Sequence, residues 1–331
     1  MFPREVDPSS NKILNPPPQT PPPPPQTYMA LRATITLLLL PLLISSMVFT
    51  PPQRVPSTAF TPSASTVPLN PLSHAIPTGT TFIPPAMFTE SIDKTSPLTF
   101  QDFYRHQIEW MNENLLGLKE ITSFVDPQFI SKSNPSKKVR IIQRYFTSDL
   151  YRKIRILYYD GGPNAQVFNS LLYPRFEYDM PVLGVDLLQF SGKKHLTVID
   201  FQPLHDDHPP FEPALSSIKK SYPELNGQMS SKFYDETQFF SKELLFARFE
   251  DSKLVNSKLY PAFQQYLDEH HGMLSGMEKV DEAQRKVLES RQREYDIYSA
   301  ERDPATGMFG AMFGKEWAEE FVHGQLFSLS R

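Results

Sequence analysis

The chain has 331 residues, with 33 prolines, 13 glycines and no cysteine. Without thiols there can be no disulfide, thiolate metal site, cysteine-ligated iron–sulfur cluster or cysteine nucleophile. A charged fraction of 21% and a formal net charge of -4 give no electrostatic case for nucleic-acid binding.

Twenty of the 33 prolines lie in residues 1–95, including PPP at 16–18 and PPPPP at 21–25. Such runs favour polyproline II and do not join a packed core. Residues 29–49, MALRATITLLLLPLLISSMVF, hold a basic start at Arg32 and an apolar run interrupted by Pro41. The run is shorter than the roughly 20 residues a spanning helix needs, so it reads as a cleaved secretory-type signal. Residues 50–95 are rich in Ser, Thr and Pro and poor in acids. Signal plus hydroxyl-rich stretch resembles a two-step address to a complex plastid of the cryptophyte kind, with Phe60 in STAFTPS matching the phenylalanine of such transit peptides. A secreted protein with a disordered stalk is the alternative. Residues 1–95 are therefore expected to be a disordered targeting region, leaving no membrane attachment after processing, and 96–331 a single domain.

Within 96–331 the first segment predicts a helix, since Phe100, Phe103, Tyr104, Ile108, Met111 and Leu115 recur at three- and four-residue spacing, with Gly117 as the stop. Four strands are expected at 153–159, 165–173, 182–190 and 195–202. The short turns between them require antiparallel neighbours. After Pro203 the patterns are helical, including TQFFSKELLFARF. These elements imply an α/β chain with a central antiparallel sheet and helices packed on it. The nearly continuous apolar run of 182–190 implies cover on both faces.

Dinucleotide, P-loop, HExxH and GxSxG motifs are absent, and no metal site is assigned. HDDH at 205–208 lies in a proline-rich loop without metal spacing. Asp186 is a carboxylate in an apolar strand, which is costly unless it is paired or lines a cavity. Asn169 is polar in the neighbouring strand and could share its pocket. Asp303 follows a long charged helix and precedes Pro304, which disfavours helix there. Its bland reading is a helix terminus; that of Asn169 is a sheet irregularity. Asp200 reads as structural. Residues 130–156 hold eight bases and one acid, against a net negative domain. Lys137, Lys138, Arg140, Arg152 and Lys153 could form a dock for an acidic partner, or a solvated strand edge. Arg248, inside a segment read as apolar helix, calls for a carboxylate from protein or ligand.

QVFNSLLYP, YDMPVLGVDLLQF, VIDFQPL and YDIYSAERDPATGMFGAMFGKEW together resemble the ferredoxin-dependent bilin reductases, from about Phe100 to Phe327. The resemblance implies a three-layer α/β/α sandwich with an open-chain tetrapyrrole between sheet and C-terminal helices. It implies no bound cofactor, with reduced ferredoxin as external electron donor and biliverdin IXα as substrate. The family's two aspartates fall on Asp186 and Asp303, and Asn169 would orient a pyrrole edge. Arg248 would partner a propionate, and the basic segment would dock ferredoxin. The phycocyanobilin-forming branch has glutamate and histidine where this chain has Leu157 and Asn169, which disfavours that branch. The wording is most similar to the branch that reduces the C15–C16 methine and supplies a second, phycoerythrobilin-forming reductase. A four-electron reductase making phycoerythrobilin and a non-catalytic bilin carrier are the alternatives.

Overall fold

A computed structural model describes residues 82–122, 125–227 and 238–331. Residues 1–81 of the address expected over 1–95 lie outside the described residues. The apolar spacing near the start of the domain forms helix α1 (Gln101–Asn114), which buries Phe103, Tyr104, Ile108, Trp110 and Met111. Gly117 turns the chain beyond it at a φ of 64°, where a side chain would strike the Asp149 carboxylate. A single turn, α2 (Pro127–Ile130), follows and is capped by Asp126.

The sheet has eight strands: β1 (Lys119–Glu120), β2 (Ser131–Asn134), β3 (Val139–Thr147), β4 (Tyr151–Asp160), β5 (Ala165–Pro174), β6 (Val182–Phe190), β7 (Lys194–Gln202) and β8 (Leu245–Phe249). Their order is β1-β3-β4-β5-β6-β7-β8, with β2 also paired to β3, and every pairing is antiparallel. The meander expected from sequence is β4 to β7.

Four strands were not expected: the short β1 and β2, and the longer β3 and β8. β3 is buried on both faces, so its sequence VRIIQRYFT shows no clean two-residue alternation. β8 lies where a helix was expected. Leu245, Ala247 and Phe249 alternate into one core, and the strand pairs with β7 from Ile199–Leu245 to His195–Phe249. Tertiary pairing overrides the helical composition of this short segment.

Helices cover both faces. α1, α3 (Glu212–Ser221) and α4 (Tyr260–Ser275) pack on one side against Ile154, Ile156, Phe168, Leu183 and Val185. α5 (Glu282–Arg302), α6 (Ala305–Phe313), α7 (Lys315–Glu320) and a wide helical turn, Phe321–Leu326, pack on the other. There Phe309, Trp317 and Phe321 meet Leu157, Tyr159, Val167 and Leu171. The result is an α/β/α sandwich, and β6 is nearly continuously apolar because it faces a core on each side. Among the described residues, no helix is long and apolar enough to cross a membrane.

The folded part begins before Ser96, contrary to the boundary drawn from composition. Ile83 is buried in the α1 core. Its N–H donates to Asn112 Oδ1, and Asn112 Nδ2 donates back to its carbonyl, both at 2.8 Å. The buried Asp160 accepts from Ser91 Oγ, the Ile92 and Gly162 N–H groups, and Arg140. Proline content sets the local conformation of residues 82–95 but does not stop them from packing. A chain starting at Ser96 loses the Ile83 burial and two donors to Asp160. It should unfold in urea with a stability lower by on the order of 3 kcal/mol than a chain starting at residue 82; equal midpoints would show that the segment contributes nothing.

Candidate active site

Antiparallel register sets Asn169 of β5 directly opposite Asp186 of β6. Alternation turns both side chains to the face covered by α5–α7, because Val167, Leu171 and Val182 lie on that face. Asn169 Nδ2 donates to Asp186 Oδ1 at 3.0 Å. Arg155 of β4 donates from Nη2 to Asn169 Oδ1 at 2.6 Å. Asp303 arrives from the opposite layer. α5 ends at Arg302, and Asp303 takes extended angles ahead of Pro304. Its Oδ1 accepts the Ala305 N–H at 2.8 Å, starting α6. Asp303 is thus both a helix terminus and a member of the site.

Burial pushes the Asp186 carboxyl up to about 7. The Asn169 hydrogen bond pulls it down, the nearby Asp303 charge pushes it up, and Arg155 pulls it down. Burial also raises Asp303, against the Ala305 N–H and Arg155. Asn169, Asp186 and Asp303 nevertheless keep partial exposure. A carboxyl able to hold a proton near neutrality, Asp186, and a second whose pKa burial raises, Asp303, therefore lie near one guanidinium, an arrangement suited to proton donation.

Arg155 was not assigned to this site from sequence, where it counted only among the bases of 130–156. In KIRILYY the odd positions Lys153, Arg155, Leu157 and Tyr159 share a face, and that face is covered. Reading two-sided burial through the charges would have turned Arg155 inward.

The same packing dissolves most of the expected dock. The Lys153 amine is buried and donates to the carbonyls of Gln325 and Leu326 and to Ser328 Oγ at 3.0, 3.2 and 3.0 Å. Arg152 donates to Gln292 Oε1 and stacks over Tyr173 and Phe176. Arg140 is paired with Asp160 at 2.9 Å, and Arg144 grips Glu120 through Nε and Nη2. Lys153, Arg152 and Arg140 are therefore structural. Of the five residues expected to dock a partner, Lys137 and Lys138 are exposed.

Arg248 is on β8, not on a helix, opposite Leu196. Alternation puts it on the Asp186 face, near the sheet edge. It is exposed and lies over the Phe246 ring, and no carboxylate among the described residues pairs with it. Asp200 accepts from Ser241 N–H and Oγ and anchors the chain ahead of β8, a structural role as expected.

His205 and His208 of the HDDH loop converge on Asp179 Oδ1 at 2.8 and 2.7 Å. Their other ring nitrogens face backbone donors, the Asp207 and Leu204 N–H groups. A metal-bound imidazole needs an acceptor for its remaining N–H. The polarity here is the reverse: it makes His205 Nε2 a donor to Asp179, tying the β5–β6 loop to the β7–α3 loop, while His208 Nδ1 lies close to the same oxygen without a hydrogen bond.

The model of the ferredoxin-dependent bilin reductases matches residues 106–328. A 15,16-dihydrobiliverdin:ferredoxin oxidoreductase of Nostoc punctiforme is 38% identical over 232 residues, covering 68% of this chain and 94% of the relative. The protein of the same name from Gloeobacter violaceus is 39% identical over 233 residues, with the same coverage. A crystal structure of phytochromobilin synthase from tomato in complex with biliverdin superposes with a TM-score of 0.59 at 22% identity, over 70% of this chain and 83% of that one, so the sandwich is shared. With a match running from α1 to the last residues of the C-terminal layer, and relatives aligned over nearly their whole length, the chain belongs to the ferredoxin-dependent bilin reductase family.

Proposed function

We propose that the protein reduces biliverdin IXα at the C15–C16 methine, taking two electrons from ferredoxin, to give 15,16-dihydrobiliverdin. The observation that carries the chemistry is the Asp186 carboxyl, raised by burial to about 7 and hydrogen-bonded to Asn169 opposite. The relatives that bear the name of this activity support the regiochemistry. Both aspartates remain in the sequence, which counts against a carrier that has lost catalysis.

Reduction consumes two electrons and two protons, and one hydrogen is added to each carbon of the C15–C16 double bond. Ferredoxin delivers electrons singly, so the substrate passes through a radical. A neutral tetrapyrrole in an apolar space resists an electron because the resulting anion lacks solvation. Proton transfer from Asp186 before the electron arrives removes that obstacle. Asp303, on the helical layer across from the sheet, supplies the second proton. Asn169 cannot act as an acid; it orients the carboxyl of Asp186 and the pyrrole edge. Arg248, at the margin of the same sheet face and without a protein carboxylate, receives a propionate.

Ferredoxin docks on the β2–β3 edge, where Lys137 and Lys138 are exposed. Lys132 beside them lies over the Trp317 ring, and Asn134 bonds the Met312 carbonyl of α6. This puts the basic edge next to a helix of the site. The product passes to a second reductase that completes phycoerythrobilin. The residues ahead of Phe82 carry the chain to a plastid; a fusion of residues 1–81 to a fluorescent protein should accumulate there.

Asp186→Asn should bind biliverdin with near-normal affinity and lower kcat by about 100-fold or more. Full activity in an anaerobic assay with reduced ferredoxin and chromatography of the product would remove Asp186 from the mechanism. The pH dependence has a defined sign. Asp186 is protonated below about 7 and ionised above it, so kcat should fall as pH rises through that value. The raised pKa also means that folding holds this proton more tightly than the unfolded chain does, so stability contributed at low pH is lost as pH rises toward 7. Asp186→Asn should therefore gain melting temperature over the wild type at mildly alkaline pH and not at pH about 4. Replacing Lys137 and Lys138 with Glu should raise the KM for ferredoxin by about 10-fold at low salt and flatten its salt dependence, leaving biliverdin affinity unchanged.

A further inference from the structure

Arg155 is 1% exposed, and a buried guanidinium ordinarily has a carboxylate and a full set of acceptors. Here one bond is made, from Nη2 to Asn169 Oδ1. Nε and Nη1 are buried and have no acceptor among the described residues. The residue opposite on β3, Tyr145, has a buried hydroxyl that is likewise unpartnered. Three polar atoms therefore converge, unsatisfied, on the covered face of the sheet beside Asn169 and Asp186. Leaving a charged group in this state is costly unless a ligand completes it.

The ligand must bring acceptors, since every unsatisfied guanidinium group there is a donor. It must also be tolerated beside Asp186 and Asp303. A buried carboxylate would meet those two acids at close range, and an ionised propionate is better placed toward solvent at the sheet margin. A neutral carbonyl oxygen meets both conditions. On the proposed substrate these are the lactam oxygens of the two terminal rings.

Resting on the reading of the site as a bilin pocket, we propose that Arg155 is a further substrate-contact residue. It donates from its free N–H groups to a terminal lactam oxygen of the bound bilin, while its bond to Asn169 holds the carboxamide that orients Asp186. The contact serves two ends. It fixes which end of an almost symmetric tetrapyrrole lies at the acid. It also sets a positive charge against the ring that gains an electron, and electron density on reduction is drawn toward such an oxygen.

The test compares the wild type, Arg155→Gln and Arg155→Lys, each checked for a wild-type thermal melt, with biliverdin and with biliverdin dimethyl ester. Arg155→Gln should weaken binding of both compounds by about 10-fold and shift the absorption band of the bound pigment. It should also lower kcat beyond the loss in affinity and release products of mixed regiochemistry. Arg155→Lys keeps the charge without the fork, so it should recover part of the turnover and little of the regiochemistry. A folded Arg155→Gln with wild-type affinity, bound spectrum and product would overturn the proposal and leave water as the partner of these groups. A penalty present with biliverdin and absent with the dimethyl ester would overturn it in favour of a propionate contact. If the wild type itself neither binds nor reduces biliverdin, the reading of the site fails instead, and the proposal with it.

Discussion

The site depends on a line of three side chains across three adjacent strands, Arg155 to Asn169 to Asp186, held by two hydrogen bonds. Each bond fixes the next group's orientation. Asn169 accepts from the arginine through its oxygen, so its nitrogen must donate to the aspartate. That polarity leaves the second oxygen of Asp186 outside the chain of hydrogen bonds. A sheet suits this purpose because cross-strand neighbours are separated by a fixed distance of about 5 Å, and backbone pairing rather than side-chain packing maintains it.

The covering layer is what turns this line into chemistry. In water a carboxyl with such neighbours would be ionised at neutral pH. Beneath α5–α7 the loss of solvation outweighs both the Asn169 bond and the Arg155 charge. The layer is in turn tied down by buried polar groups. Asp296 of α5 accepts from Tyr173 Oη and from the Leu329 N–H. Lys153 of β4 holds the carbonyls of Gln325 and Leu326. Burial lowers its amine to about 7, so it is a costly group to place there, and its three acceptors are what offset that cost. The charges that looked like a docking patch are thus largely the fastenings of the lid.

Function and fold place different demands on the same face. Trp317 stacks on Phe129 and Phe321, Phe309 meets Trp317 and Phe321 edge-on, and together they close one part of the layer by apolar contact. Asn169, Asp186 and Asp303 are only partly buried, and the neighbouring polar atoms of Arg155 and Tyr145 remain unsatisfied. Such local disagreement with the rules of a well-packed interior is expected where a ligand supplies the missing partners.

The sequence by itself determined the meander β4–β7, the first helix, the helical C-terminal layer and the two aspartates. These rest on local signals: apolar period, short turns, and a carboxylate stranded in an apolar run. Tertiary structure alone decided the rest. β8 is a strand because β7 offers an edge that Leu245, Ala247 and Phe249 can pair against. Residues 82–95 belong to the fold because Asn112 and Asp160 offer buried acceptors. Lys153, Arg152 and Arg155 point inward because a layer contributed from more than a hundred residues away covers their face. A charge in a strand carries no local mark of whether water or another helix will lie above it, and that is settled only when distant parts of the chain meet.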